Sequence, residues 1–151
     1  MAGYATGEAA IKTLVQAVTG FTSAQVSRGN WKVLNSGAAA VYAVLLSRPD
    51  EPRTFTTPRT VLESWITIVQ VWQRYKDDGT TYTNLATAIE NVLAKIDKYP
   101  HLGDTSGYVE ESTPTVEGEV QEMWRKGGGP AWLRQDIAVR WTGRQTITFL
   151  D

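Results

Sequence analysis

The sequence contains few residues that could carry nucleophilic or acid–base chemistry. It has one histidine, His101, and no cysteine, which excludes thiol nucleophiles, thiolate metal sites and multi-histidine zinc sites. A Ser-His-Asp triad would need His101, but the surrounding KYPHLGDTSG is typical of a helix exit and a turn, and no strand–turn–helix context marks a serine. We interpret His101 as a surface or capping residue.

Two further patterns have both a chemical and a structural interpretation. Asp77 and Asp78 could bind a metal ion, but hard cations need several converging oxygens, and adjacent carboxylates before Gly and Thr are typical of turns and helix starts. Gly127 to Gly129 follow two basic residues, as in a phosphate-binding loop, but no Gly-Lys-Ser/Thr follows, so we interpret them as a hairpin turn. We predict no catalytic residue, no metal and no cofactor, and a protein that is not an enzyme.

Five glutamates lie close together near the C-terminal third: Glu110, Glu111, Glu117, Glu119 and Glu122. They could supply a general acid and base. Because no pocket partner is visible beside them, the simpler interpretation is one solvated, acidic face of a polar strand.

Length and composition predict a single globular domain covering residues 1–151, since 42% of the residues are apolar and 21% are charged. The net charge of -1 lacks the basic excess of proteins that bind nucleic acid through its phosphates. No apolar stretch approaches the roughly 20 residues of a membrane helix, and the N-terminus lacks a signal-peptide pattern. We therefore expect a protein that works in the cytoplasm, or in a particle assembled there, without membrane contact.

Hydrophobic periodicity predicts helices over residues 6–18 and 83–98. Alternation and β-branched content predict strands over residues 38–47, 60–73, 107–124 and 133–141, with an irregular connection at 20–37 and a short strand or tail at 145–151. This order predicts an α+β fold, in which a mostly antiparallel sheet of about four strands carries two helices on one face.

The segment at residues 48–59 is predicted to be a long loop, because it holds three prolines and three arginines. Loops of this length usually have a function.

The strand at residues 60–73 is apolar on both faces. Alternation places Leu62, Ile66, Ile68 and Trp72 on one face, and Val61, Trp65, Val69 and Val71 on the other. Two helices cover only one face of a sheet, so the face around Trp65 needs another cover. A neighbouring subunit is one candidate, and Trp31 with the irregular 20–37 segment is the other.

Several sequence pieces occur in a suggestive order: VLNSGAAAVYAVLL after an N-terminal helix, a Pro/Arg loop, VQVWQRYKDDGTTYTNL, a helix ending KIDKYPHLG and a closing IAVRW strand. Within them, W-x6-W-x2-Y is followed by DDG, a helix and YPxLG. Over nearly the whole chain this layout resembles the tail terminator proteins of long-tailed bacteriophages, also called tail completion or minor tail proteins.

The resemblance implies a structural, non-enzymatic subunit of the virion, located at the head–tail junction and assembled in the host cytoplasm. Such subunits form a hexameric ring on the finished tail tube, stop the addition of tail tube protein and present a surface to the head–tail connector protein. DNA passes through the ring without specific binding, in agreement with the balanced charge of this chain.

In such rings the long inter-strand loop reaches the neighbouring subunit or the tube. Together with the apolar face above, this gives the interface candidates Arg48, Asp50, Glu51, Arg53, Arg59, Trp65, Val69 and Val71. The acidic run Glu110, Glu111, Glu117, Glu119 and Glu122 gives candidates for the ring lumen, the alternative being a solvated outer face.

Three other functions stay open. A head-closure or head–tail connector protein has the same size and class of role. A small hydrolase or nucleotide-binding enzyme would have a cryptic site around Asp77, Asp78 and His101. A monomeric adaptor or decoration protein would form no ring.

Overall fold

The structure, a computed structural model, describes residues 3–31, 34, 39–57, 59–124 and 130–147. Its elements are α1 (Tyr4–Gln16), a 3-10 turn (Ser23–Gln25), β1 (Val26–Arg28), β2 (Val41–Thr57), β3 (Thr60–Arg74), α2 (Asp78–Asp97), β4 (Val109–Trp124) and β5 (Pro130–Thr146). The strands form one mixed sheet in the order β1-β2-β3-β5-β4, in which β1 is parallel to β2 and the other pairs are antiparallel.

The fold is therefore α+β, as predicted, with a five-stranded mixed sheet in place of about four antiparallel strands. The additional strand, β1, lies in the segment predicted to be irregular. It has three residues and pairs only with residues 43–45 of β2, so it is too short to give an alternating pattern.

Both predicted helices are present with shifted ends. Helix α2 begins at Asp78, five residues earlier than predicted, because the Asp77 side chain accepts a hydrogen bond from the Thr80 backbone N–H at 2.7 Å and caps the helix. Its first turn is polar, so hydrophobic periodicity does not reveal it. Helix α1 runs from Tyr4 to Gln16, two residues ahead of the predicted range at both ends.

The predicted loop at residues 48–59 is instead the end of a long hairpin formed by β2 and β3. Pairing continues from Val41 opposite Gln73 to Thr57 opposite Thr60, with register shifts near Pro49 and Glu51. Beyond residue 45 no described strand pairs with the outer edge of β2. Prolines are tolerated there because an edge strand needs no ladder hydrogen bond on its outer side.

The C-terminal strands follow the sequence pattern closely. The predicted strand at residues 107–124 is present as β4, an edge strand with an irregularity at Gly118, where φ is 72° and the register with β5 shifts. In β5 the residues Leu133, Ile137, Val139 and Trp141 are buried, as the alternation predicts. The proposed hairpin turn at residues 127–129 lies outside the described residues. Of the predicted short strand or tail at 145–151, residues 145 and 146 belong to β5 and residues 148–151 lie outside the described residues.

Both helices pack on the same face of the sheet, here called the helix-covered face. Its core joins Ile11 and Val15 of α1, and Ile89 and Val92 of α2, to alternate residues of the strands: Ala43, Leu45, Val69, Val71, Ile137, Val139 and Trp141. The opposite face, here called the open face, carries Tyr42, Val44, Ile66, Ile68, Trp72, Trp132, Arg134, Ala138 and Arg140.

The two faces of β3 are thus the two sets predicted, but the helices cover the other one. Val69 and Val71 are fully buried beneath the helices, and Trp65 packs against the same core. The prediction that Trp65, Val69 and Val71 form the uncovered face is wrong. Both sets are apolar, so the sequence pattern does not show which one the helices cover.

Candidate interaction surfaces

The most exposed part of the sheet is its distal end, where β2 and β3 extend as a hairpin. All residues at 48–57 are exposed, and Phe55 is 56% exposed. The candidates Arg48, Asp50, Glu51, Arg53 and Arg59 all lie along this hairpin, from Arg48 opposite Ile66 to Arg59 in the turn. The structure therefore brings them to the same end of the sheet, but Asp50 and Glu51 line the open face, whereas Arg53 pairs with Glu63 on the helix-covered side.

This hairpin is held by the rest of the sheet. Strand β5 pairs with β3 as far as Thr60 opposite Thr146, and the Arg59 carbonyl accepts a hydrogen bond from the Ile147 backbone N–H at 2.6 Å. The Arg144 guanidinium donates to the Thr56 hydroxyl at 3.2 Å. A flexible loop loses conformational entropy when it binds a partner, whereas a paired hairpin is already ordered before binding.

A buried carboxylate anchors the base of the hairpin. Glu63, 7% exposed, accepts hydrogen bonds from the Tyr108 hydroxyl at 3.0 Å and the Gln145 amide, and forms an ion pair with Arg53 at 3.3 Å. The Tyr108 hydroxyl also accepts a hydrogen bond from Trp65 Nε1 at 3.1 Å. Burial raises the pKa of Tyr108 to about 12.

The sequence analysis did not identify Glu63 or Tyr108. They are 45 positions apart, and only the fold brings them together. The one signal in the sequence is a glutamate at a core-facing position of an otherwise apolar strand, which predicts a buried partner for its charge.

At the end of the sheet away from the β2–β3 hairpin, the open face carries a cluster of aromatic rings and arginines. Trp72 faces Arg134 and Trp132 faces Arg74 across β3 and β5, with guanidinium carbons 5.4 Å and 4.5 Å from the ring centres. Trp31 also reaches this face, since its Nε1 donates to the Gln70 side chain at 2.9 Å. Trp31 therefore lies opposite the face that it was expected to cover.

The acidic residues of β4 do not form one face. Glu111 and Glu117 face the open side, opposite Thr142 and Asp136, whereas Glu122 lies opposite Leu133 on the helix-covered side. Two of the five are paired within the subunit, Glu110 with Arg144 and Glu117 with Arg140. The prediction of a single acidic face is thus wrong, because the glutamates occupy both odd and even positions of the strand. A role in a ring lumen stays a prediction for Glu110, Glu111, Glu117, Glu119 and Glu122.

A second buried carboxylate, Glu8 on α1, was also missed. It is 6% exposed, accepts a hydrogen bond from Arg28 Nε at 2.6 Å, and accepts another from the Ser47 hydroxyl. The Ser47 hydroxyl is 2.8 Å from the hydroxyl of Thr67, which accepts a hydrogen bond from Trp141 Nε1. This chain of polar groups ties α1 to β1, β2, β3 and β5.

The residues proposed for an enzymatic site lie apart. Asp77 caps the start of α2 and His101 follows its end, so the 20-residue helix separates them by roughly 30 Å. The side chain of Asp78 lies outside the described part of the chain. Among the described residues there is no group of three or more His, Cys, Asp or Glu side chains that could hold a metal ion.

Neither a protein-family model nor a curated protein matches this sequence. None of the helices among the described residues is long and apolar enough to cross a membrane.

Proposed function

We propose that this chain is a tail terminator subunit, which forms a hexameric ring on the end of a phage tail tube, stops tube growth and presents the surface for head–tail joining. The observation that supports this most strongly is the exposed hairpin at residues 48–57. It replaces the long loop that the resemblance assigns to contact with the neighbouring subunit or the tube.

The chemistry of the hairpin is typical of a protein interface. Phe55 supplies an apolar anchor, and Arg53 lies 6.0 Å from its ring centre. Aromatic residues and arginine are enriched at interface hot spots. Asp50 and Glu51 add charge that orients an incoming partner.

The edges of the sheet are less suitable for assembly than its faces and its distal end. Pro49 and Pro52 interrupt the outer side of β2, and Pro114 with the bulge at Gly118 interrupts β4. Prolines and bulges at sheet edges prevent pairing with another strand. Subunit contacts in the proposed ring therefore use side chains, and not a continuous intermolecular sheet.

The test is tube growth in the presence of this protein, observed by electron microscopy with the tail tube protein of the same virus. We expect the wild-type protein to cap tube ends and limit tube length. Phe55→Asp reduces capping at least tenfold, because it places a charge at the centre of the contact. Tyr82→Asp is the matched control, since Tyr82 is 57% exposed on α2, and it leaves capping unchanged.

Binding to the portal side of the connector, with no effect on tube growth, would contradict a terminator and favour the head-closure alternative. Equal capping by wild type and Phe55→Asp would show that the hairpin is not the contact.

A further inference from the structure

We propose that the distal end of the open face of one subunit packs against the C-terminal ends of α1 and α2 of a second copy. Copies of the chain then join head to tail. This inference rests on the proposed ring and specifies the two surfaces that form it. The argument depends on charges that lie unpaired on opposite faces of the same subunit.

The first surface is a cleft of about 240 Å³ on the open face, at the distal end of the sheet. Glu51, Ser64, Thr142 and Glu111 lie in one row across β2, β3, β5 and β4. Asp50, Thr113, Arg140 and Trp141 also line the cleft. Among the described residues Asp50, Glu51 and Glu111 form no ion pair, and Arg140, the cation that lines the cleft, is paired with Glu117. The cleft therefore has three carboxylates without an ion-pair partner and an excess of negative charge.

Apolar surface adjoins this cleft. Leu46 lies opposite Ile68 on the open face, and both side chains are only half-buried because the helices lie on the other side of the sheet. A surface of half-buried aliphatic residues bordered by charge resembles the core and rim of a protein interface.

The second surface is a cleft of about 310 Å³ between the C-terminal ends of α1 and α2. Lys95 and Lys98 line it together with small residues, Ala17, Thr19 and Ala94. Neither lysine forms an ion pair among the described residues. Asp97 lies on the same turn but does not line the cleft, so the cleft itself is basic.

The charges exclude a symmetric contact and favour a head-to-tail one. A two-fold contact through the open face would place Asp50, Glu51 and Glu111 against their own copies, and like charges at an interface are unfavourable. Five of the described arginines form ion pairs within the subunit, with Glu8, Glu63, Asp136, Glu117 and Glu110. Arg48 and Arg59 form none with a described residue, but neither lines the cleft. Lysines on the opposite face supply the missing cations, and a contact between two different surfaces generates a ring when its rotation closes.

The test is a charge reversal read out by mass in solution. The acid-reversed variant carries Glu51→Lys and Glu111→Lys, and the base-reversed variant carries Lys95→Glu and Lys98→Glu. We expect each variant alone to weaken assembly at least tenfold, because each contact then joins like charges. A 1:1 mixture assembles again, since the two variants alternate around the ring. A single chain with all four substitutions also assembles.

The matched control carries Glu119→Lys and Glu122→Lys. It changes the net charge by the same amount as the acid-reversed variant, but at positions of β4 that do not line the cleft. We expect it to assemble like wild type. Assembly by both reversed variants alone, or no recovery in the mixture of folded variants, overturns this interface while leaving the proposed ring intact. A wild-type protein that stays monomeric at all concentrations, with and without tail tubes, overturns the ring and the interface together.

Discussion

Gly7 on α1 and Trp141 on β5 are in direct contact, and a β-carbon on Gly7 would lie 2.2 Å from the indole ring. Trp141 is 1% exposed, stacks on Trp65 with ring centres 6.2 Å apart, and donates a hydrogen bond to the Thr67 hydroxyl at 3.0 Å. The indole ring is thus held by contacts with Gly7, Trp65 and Thr67. Helix α1 approaches the sheet this closely only because position 7 has no side chain.

Gly7→Ala should therefore destabilise the protein, although alanine favours helix by about 1 kcal/mol. We expect a loss of roughly 1–3 kcal/mol in the free energy of unfolding, because an extra methyl group overpacks the site. Gly79→Ala is the control, since a β-carbon there meets nothing within 4 Å in the first turn of α2. Urea unfolding should show a lower midpoint for Gly7→Ala only; equal midpoints for the two variants would contradict the contact.

The elements of this fold were predictable where one face is apolar and the other polar. Strand β5 alternates cleanly and was predicted correctly, because buried Leu133 and Ile137 are separated by charged Arg134 and Asp136. Asp77 was interpreted as a turn or helix-start residue from its position before Gly and Thr, and it caps α2. In both cases a local pattern determines the local structure.

Predictions from local sequence patterns were wrong where contacts with distant parts of the chain determine the structure. Pro49 and Pro52 indicate a loop, but they lie on an edge that needs no hydrogen bonds. Both faces of β3 are apolar, so only the complete fold shows which one the helices cover. The hydrogen-bond donors to the buried carboxylates of Glu8 and Glu63 lie 20 to 82 positions away along the chain, beyond the reach of a local sequence pattern.

Tyr108→Phe should destabilise the protein by about 1–3 kcal/mol, because it removes a hydrogen bond to Glu63 and leaves Trp65 Nε1 without its acceptor. Tyr82→Phe is the control, since Tyr82 is exposed. Chemical unfolding at neutral pH measures both variants, and an equally small change in the two would contradict the network.

The same hydroxyl gives a pH dependence. Burial raises the pKa of Tyr108 from 10.0 to about 12, so the folded state favours the neutral hydroxyl. Its contribution to stability is fully present below pH 10 and is lost as the pH rises through about 12. The difference in stability between wild type and Tyr108→Phe should therefore shrink over that range; a constant difference would argue against the shift.

Asp104→Asn should destabilise the turn between α2 and β4 by about 1 kcal/mol. The Asp104 carboxylate accepts backbone hydrogen bonds from Ser106 and Val109, each at 3.0 Å. Burial alone would raise the pKa of Asp104, but these hydrogen bonds outweigh it and lower the pKa below 3.8. The contribution is thus present above pH 3.8 and is lost as the pH falls through the lowered value.

Thermal unfolding of wild type and Asp104→Asn at neutral pH and at acid pH measures this effect. The melting temperatures should differ by roughly 2–4 °C at neutral pH and converge in acid. Asp50→Asn, at an exposed carboxylate on the hairpin, controls for the loss of one negative charge. A difference that persists unchanged in acid would contradict the role of the ionised carboxylate.

We propose that copies of this chain form a ring that caps a tube. The first measurement is the mass in solution over a concentration series, by light scattering after size exclusion, with electron microscopy of the largest species. The same measurement is then repeated with purified tail tubes. We expect a hexamer with a central hole, free or seated on tube ends. A monomer at every concentration, together with bare tube ends of unchanged length, would contradict it.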